Sequence, residues 1–260
     1  MTAVHATTKP EVPVLEVRDL AVHFGGVKAV DGLSFSLTAG KIFGVLGPNG
    51  SGKSTMLAAV TRLVRLTRGE LLFGGEPYHH EPPRAMAGRG IARTFQTVRL
   101  LEDRTVRENV LLATDDHLIR GRAARRAVAE RVDQAIERIG LTKVQSLRPT
   151  ELSYGMQRRV EIARAIAMNP RLLLLDEPTA GMNRQEREDI SALMRGLQAE
   201  GLTQLIIEHD VQMMVDTCDH LFAMTTGKLI AEGEPRAVVR HPAVQEAYLG
   251  SRHGRGHAQA

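Results

Sequence analysis

Residues 47–54 read Gly47-Pro48-Asn49-Gly50-Ser51-Gly52-Lys53-Ser54, a complete Gly-x-x-x-x-Gly-Lys-Ser phosphate loop. Before it stands Lys41-Ile42-Phe43-Gly44-Val45-Leu46, a short apolar run with a β-branched and aromatic bias; after it stands Thr55-Met56-Leu57-Ala58-Ala59-Val60, made of helix formers. A strand feeding a glycine-rich turn that opens a helix is the context in which this motif binds a nucleoside triphosphate. Outside that context the same residues would be a flexible turn with a solvated lysine. Glycines at 47, 50 and 52 are expected to take positive φ and turn successive N–H groups inward, so that a multiply charged phosphate meets donors instead of side chains. Those donors crown a helix N-terminus, whose partial positive charge favours an anion. Lys53 then reaches the β- and γ-phosphates as a point charge, and the Ser54 hydroxyl is the expected ligand of Mg²⁺.

A second apolar run, Arg171-Leu172-Leu173-Leu174-Leu175-Asp176-Glu177, ends abruptly in two acids. It reads as a buried parallel strand with carboxylates at its C-terminal edge, the edge at which doubly wound sheets bind ligands. Asp176 is expected to face the Mg²⁺ of the phosphate loop, while Glu177 points toward an attacking water. The bland alternative is a strand that ends in charged residues before the Pro178 turn. Between the two runs lies Leu152-Ser153-Tyr154-Gly155-Met156-Gln157-Arg158-Arg159-Val160-Glu161-Ile162-Ala163-Arg164-Ala165-Ile166. Ser153 can cap a helix with Val160, Ala163 and Ala167 at helical spacing, and Gly155 permits close approach to its first turn. Taken alone, this segment is either an ordinary capped helix or a second anion-binding helix N-terminus. His209 follows the run from Thr203 to Glu208 and so falls at another strand's C-terminal edge, where the phosphate-site residues converge.

Composition narrows the remaining classes. With 260 residues and 43% hydrophobic content the chain can build a substantial core. The absence of tryptophan and an aromatic content of 3% argue against a nucleic-acid stacking surface. A single cysteine, Cys218, excludes an internal disulfide framework and reads as a small buried apolar residue. The His79-His80 pair has no third ligand at metal spacing. No stretch approaches 18 apolar residues, and residues 1–13 lack a signal-peptide core, so the chain is expected neither to cross a membrane nor to be exported by itself. Net charge is +4, with the basic excess in Arg120, Arg122, Arg125, Arg126 and Arg131 and in the tail Ser251-Arg252-His253-Gly254-Arg255-Gly256-His257. A solvated helix face and a disordered tail account for this, with contact to an anionic lipid surface as the alternative.

The ordered set of Gly47 to Ser54, Gln96, Leu152 to Gln157, Leu172 to Glu177 and His209 resembles the ATP-binding subunit of an ATP-binding-cassette (ABC) transporter from about residue 14 to 250. The resemblance implies that Gln96 links Mg²⁺ and water to the transporter interface and that Ser153, Gly155 and Gln157 belong to the signature segment. It also implies Glu177 as general base, His209 on the γ-phosphate, and Pro48, Asn49, Gly50, Ser51, Gly52 and Thr55 around the nucleotide with Lys53. The metal set is then Ser54, Gln96 and Asp176. It further implies a head-to-tail homodimer or heterodimer in which one chain's phosphate loop and the other's signature helix enclose each ATP.

Two departures stand out. The family commonly stacks adenine on a tyrosine ahead of the phosphate loop; here the candidate is Phe24, which keeps the π-face and loses the hydroxyl. The signature carries Tyr154 and Met156, and Asn183 stands where aspartate is usual. Ser153, Gly155 and Glu177 are intact, so a competent ATPase is expected. The stretches Arg93 to Leu101, Leu152 to Glu161, Ile207-Glu208-His209-Asp210 and His241 to Gly250 are similar to the branched-chain amino-acid importer subfamily, although the connection from Ala113 to Ala127 is shorter than that subfamily suggests. The resemblance implies two membrane subunits, a second ATPase subunit and, indirectly, a solute-binding protein, at the cytoplasmic face of a bacterial inner membrane and with no nucleic acid. Importers of urea or short amides stay open. DNA-repair and ribosome-acting ABC ATPases need a long coiled-coil insertion or two cassettes, and neither fits in 260 residues.

The expected fold class is α/β, a P-loop NTPase (RecA-like) mixed-sheet core with an antiparallel β subdomain and an inserted α-helical subdomain. Residues 1–13 and 251–260 are expected as disordered tails around one ABC ATPase domain at 14–250. A β-rich opening runs from Val14 to about Leu37. The mixed sheet is expected to continue through the phosphate-loop strand, a turn at Gly74-Gly75, and a strand ending at Gln96. Residues 97 to about 157 form the helical subdomain, with helices over Thr105 to Ala113 and Arg122 to Ile139 and a stop at Gly140. Alternation resumes with a strand at 171–175, a helix at about 184–199, a strand from Thr203 to Glu208 and a helix from Asp210. A final hairpin turns at Thr226-Gly227.

Overall fold

Each central strand divides its side chains between two cores, which is why these segments read as unbroken apolar runs. The computed structural model describes residues 12–114 and 121–253, the side chains only as far as 248. Its mixed sheet has the order β10-β9-β3-β8-β7-β6, from β3 (Ile42–Leu46), β6 (Ile91–Arg93), β7 (Leu172–Asp176), β8 (Thr203–Ile207), β9 (His220–Thr225) and β10 (Lys228–Gly233). All neighbours are parallel except the antiparallel edge pair of β9 and β10. Phe43, Val45, Leu172, Leu174, Leu205 and Ile207 face one core, shared with α1 (Lys53–Val60) and the second sheet. Ile42, Leu46, Leu173, Leu175 and Ile206 face the other, shared with the remaining long helices. The second sheet is antiparallel, in the order β2-β1-β4-β5, built of β1 (Leu15–Phe24), β2 (Val27–Leu37), β4 (Arg68–Phe73) and β5 (Glu76–Pro77).

The helical insert holds α3 (Val106–Leu111), α4 (Arg122–Arg138) and α5 (Tyr154–Ile166), which pack on one another. Thr105 and Glu108 form a reciprocal capping box at the start of α3. Gly140 takes φ 73° just beyond α4, as expected of a C-terminal stop. Later come α6 (Arg184–Ala199), α7 (Val211–Thr217), α8 (Pro235–Arg240) and α9 (Pro242–His253), and the short α2 (Ala85–Arg89) precedes β6.

Four boundaries differ from expectation. The Gly74-Gly75 turn joins β4 to β5 in the antiparallel sheet, not in the mixed one. Strand β6 ends at Arg93 and not at Gln96: Thr94 N–H still reaches Leu174 O at 2.9 Å, but the carbonyls of Phe95 and Gln96 are taken by a buried arginine instead of a strand. Helix α5 continues nine residues past the 157 boundary because Ile162, Ala163, Ala165 and Ile166 pack into the core beneath the sheet. Helix α9 runs through His253, into the stretch expected as a tail from 251. Residues 1–11, 115–120 with Arg120, and 254–260 lie outside the described residues.

The sheet register sets up the site. Ile207 pairs with Val45 on one side and with Asp176 on the other, so the C-terminal ends of β3, β8 and β7 stand level. The loops leaving these three strands carry residues 47–52, His209 and Glu177.

Candidate nucleotide site at the edge of the mixed sheet

The phosphate loop is moulded by close backbone approaches. Gly50 and Gly52 take φ 79° and 101°, as expected. Gly47 does not have positive φ; glycine is needed there because a Cβ would lie 2.3 Å from Met224 O at the end of β9. Gly52 also presses on β2, with Ala29 O 2.3 Å from where a Cβ would stand. Gly227 N–H donates to Ser51 O at 3.0 Å, tying the loop to the β9–β10 turn. Lys53 Nζ folds back to donate to Gly47 O at 2.7 Å and Pro48 O at 3.0 Å. Burial pushes its ammonium pKa down, against the pull of Glu177 and Asp176. Asn49, Gly50 and Ser54 are exposed, Pro48 and Thr55 half-buried. The Ser51 hydroxyl is buried and has no partner among the described residues.

The adjacent acids diverge. Asp176, the last residue of β7, pairs with Arg93 at 2.9 Å, both side chains nearly buried. Arg93 also lies over the Phe95 ring, 5.2 Å from its centroid. Glu177 takes φ 47°, which turns it out of the strand line. Gln96 Nε2 donates to Glu177 Oε2 at 2.9 Å, and His209 Nε2 sits 2.7 Å from Glu177 Oε1. The fold therefore brings Gln96, Glu177 and His209 into one cluster.

Two supporting groups escaped the sequence reading. Glu208 is 4% exposed and accepts from Thr179 N at 2.7 Å, Thr179 Oγ1 at 2.6 Å and His209 N at 3.0 Å. It braces the loop after Glu177 against the loop carrying His209. Arg158 on α5 is fully buried. Its Nη1 donates to Phe95 O at 2.6 Å and Glu161 Oε2 at 2.6 Å, and its Nη2 to Gln96 O at 2.7 Å and Glu177 O at 3.4 Å. The signal was an Arg and a Glu at i,i+3 on the helical face that also carries Ile162 and Ala165. Burial raises the Glu161 carboxyl pKa despite the opposing charges of Arg158 and Arg164.

The signature residues sit elsewhere. Ser153 caps α5, its Oγ accepting from Met156 N at 3.3 Å. Gly155 is buried with Glu186 Oε1 3.0 Å from where a Cβ would stand. Gln157 Nε2 donates to Pro149 O at 3.0 Å and Leu152 O at 3.2 Å, shaping the turn ahead of the helix. Among the described residues no hydrogen bond or ion pair joins these three to residues 47–54. Asn183, in place of the usual aspartate, caps α6 in a reciprocal box with Glu186. Phe24 is 52% exposed at the end of the β1–β2 hairpin. The exposed Ser54 hydroxyl and Asp176 Oδ1, to which no group among the described residues donates, are hard oxygen donors that fit Mg²⁺. No helix among the described residues is long and apolar enough to cross a membrane.

A family profile described as ABC transporter matches residues 30–180, and another, branched-chain amino acid ATP-binding cassette transporter, matches residues 228–254. The chain is 37% identical over 250 residues to the high-affinity branched-chain amino acid transport ATP-binding protein BraF of Pseudomonas aeruginosa, covering 92% of this chain and 98% of that one. It is 36% identical to LivG of Escherichia coli, a protein of the same description, over 250 residues and the same shares. An ATP-binding cassette of an ABC transporter solved in its ADP conformation superposes with a TM-score of 0.83 at 32% identity, covering 92% of this chain and 99% of that one. The loop, the diverging acids and these relationships together make the chain a member of the ABC transporter family of ATP-hydrolysing subunits, in its branched-chain amino acid branch.

Proposed function

We propose that this chain powers a membrane importer of branched-chain amino acids from the cytoplasmic face, using residues 47–55 to hold ATP and Glu177 to activate water. The observation that carries the reading is the Gln96–Glu177–His209 cluster at the same sheet edge as the phosphate loop. The loop amides and Lys53 receive the phosphates, Lys53 exchanging the carbonyls of Gly47 and Pro48 for phosphate oxygens. Phe24 stacks on adenine. Ser54, Asp176 and Gln96 would hold Mg²⁺, which would neutralise charge on the phosphate oxygens. Before ATP binds, Gln96 and His209 hold the two oxygens of Glu177; with ATP bound, Glu177 accepts the proton of the attacking water. His209 then turns to the γ-phosphate when ATP is bound.

One chain leaves the γ-phosphate open on one side. The N-terminus of α5, with Ser153, Gly155 and Gln157, supplies amide donors suited to an anion, and among the described residues no hydrogen bond or ion pair joins it to its own loop. A second ATP-binding subunit placed head to tail puts each α5 on the other chain's ATP, so ATP joins the two. Cleavage of the γ-phosphate removes those contacts and reopens the pair, and the two membrane subunits follow. The solute meets the membrane subunits and the solute-binding protein, so this chain carries the docking surface and not the solute pocket.

Glu177→Gln keeps the hydrogen-bonding shape and removes the base. Turnover is expected to fall by about 10²- to 10⁴-fold while ATP binding persists and an ATP-bound dimer accumulates in sedimentation. Unchanged turnover would refute the base assignment.

A further inference from the structure

Gly47 is gripped on both of its peptide units. Its carbonyl accepts from Lys53 Nζ at 2.7 Å, and its N–H donates to Tyr248 Oη at 3.0 Å, across 201 residues of sequence. Tyr248 lies in α9, which packs on α8 and β10 and buries Val244. Its ring packs against the core beneath the mixed sheet. The N–H of Gly47 emerges just beyond the ladder, since β3 pairs with β8 only to Val45 and with β9 only to Leu46. A buried backbone N–H at that point needs an acceptor from outside the sheet, and the phenol oxygen provides it. Burial raises the phenol pKa, against the pull of the Gly47 hydrogen bond.

We propose that Tyr248 is a positioning residue for nucleotide binding: its hydrogen bond to Gly47 couples helix α9 to the phosphate loop, so the affinity of the loop for ATP depends on α9 being docked. The inference rests on the reading of residues 47–54 as the phosphate site. The physical argument is one of population. The loop is walled by Met224 O, leaving no room for a larger residue at 47, and held by Tyr248. Loss of the second restraint lets the first peptide of the loop rotate, and only a fraction of molecules present the binding geometry. Apparent affinity falls by that fraction. A partner that lifts α9 would therefore release nucleotide without touching the catalytic cluster.

The test uses the full chain with Mg²⁺ and a fluorescent N-methylanthraniloyl-ATP. Tyr248→Phe removes only the oxygen and leaves the ring in place. The dissociation constant is expected to rise about three- to tenfold, the scale of one hydrogen bond. KM for ATP should rise with it, and kcat should fall less than about twofold, the split expected when ground-state binding is lost. Hydrogen exchange across residues 46–54 should quicken in the same variant, with the thermal midpoint little changed. Unchanged affinity and unchanged loop exchange, or a lowered midpoint with unchanged affinity, would overturn the coupling. Lys53→Ala is the companion variant. If it abolishes binding while Tyr248→Phe binds as wild type does, the coupling alone fails; if it too binds normally, residues 47–54 are not the phosphate site and both readings fall.

Discussion

Glu177 owes its direction to its backbone. A non-glycine residue at φ 47° carries roughly 1–3 kcal/mol of local strain, and here its N–H is anchored to Ile207 O at 2.9 Å. That turn separates it from Asp176, so the two acids meet different partners, Arg93 for one and Gln96 with His209 for the other. The pair was legible in the sequence as two carboxylates at a strand's end. Glu208 was not, because a lone acid before a histidine looks like any strand terminus, and its value lies in a donor, Thr179, that arrives from another strand. Three donors converge on its buried carboxylate. Glu208→Ala leaves them without an acceptor and is expected to cost about 2–3 kcal/mol, a fall of roughly 5–10 °C in thermal midpoint for a chain of this size. Turnover should drop further than stability predicts, since the His209 backbone loses its brace. A midpoint within about a degree of wild type would contradict the role given to Glu208.

At the scale of elements, α5 joins the insert to the catalytic edge. Arg158 sends its guanidinium to the carbonyls of Phe95, Gln96 and Glu177 and neutralises Glu161 beneath them. Arg158→Met would leave the buried Glu161 with the Arg99 N–H at 3.3 Å and, as its one remaining cation, the more distant Arg164 at 3.7 Å. The expected loss is about 3 kcal/mol, or roughly 10 °C by calorimetry. Arg158→Met with Glu161→Leu removes both charges and should regain most of the midpoint, but not turnover, because the Gln96 loop still lacks its donor. Equal stability of the single and double variants would show that the pair is not coupled. The central strands were legible because burial on both faces leaves an uninterrupted apolar signal, as in Leu172–Leu175. The ends of elements were less so: β6 is three residues long and stops where Arg158 takes over the carbonyls, and α5 runs past residue 157, the expected limit of the helical subdomain. Helices α8 and α9 went unread because a stretch as short as Pro235–Arg240 has too few turns to show periodicity, and α9 is tied down by tertiary contacts, the burial of Val244 and the hydrogen bond that Tyr248 accepts from Gly47 N–H.

For the molecule as a whole, the two cores are joined through one mixed sheet, and the sheet's C-terminal edge collects the loop, the acids and His209. Among the described residues no hydrogen bond or ion pair joins the first turn of α5, with Ser153 and Gly155, to its own phosphate loop, which is the geometric ground for proposing a head-to-tail pair. The insert with its buried Arg158 gives the ATP edge a mechanical connection toward the surface that would meet membrane subunits. The direct test is to isolate the chain from its native membranes in mild detergent with ATP and vanadate, identify what accompanies it, and assay ATPase with the binding protein and a panel of leucine, isoleucine, valine and urea. Two membrane subunits, a second ATP-binding subunit and ATPase stimulated by the branched-chain amino acids are predicted. Recovery with ribosomes or DNA, recovery without any membrane protein, or stimulation by urea alone would contradict it.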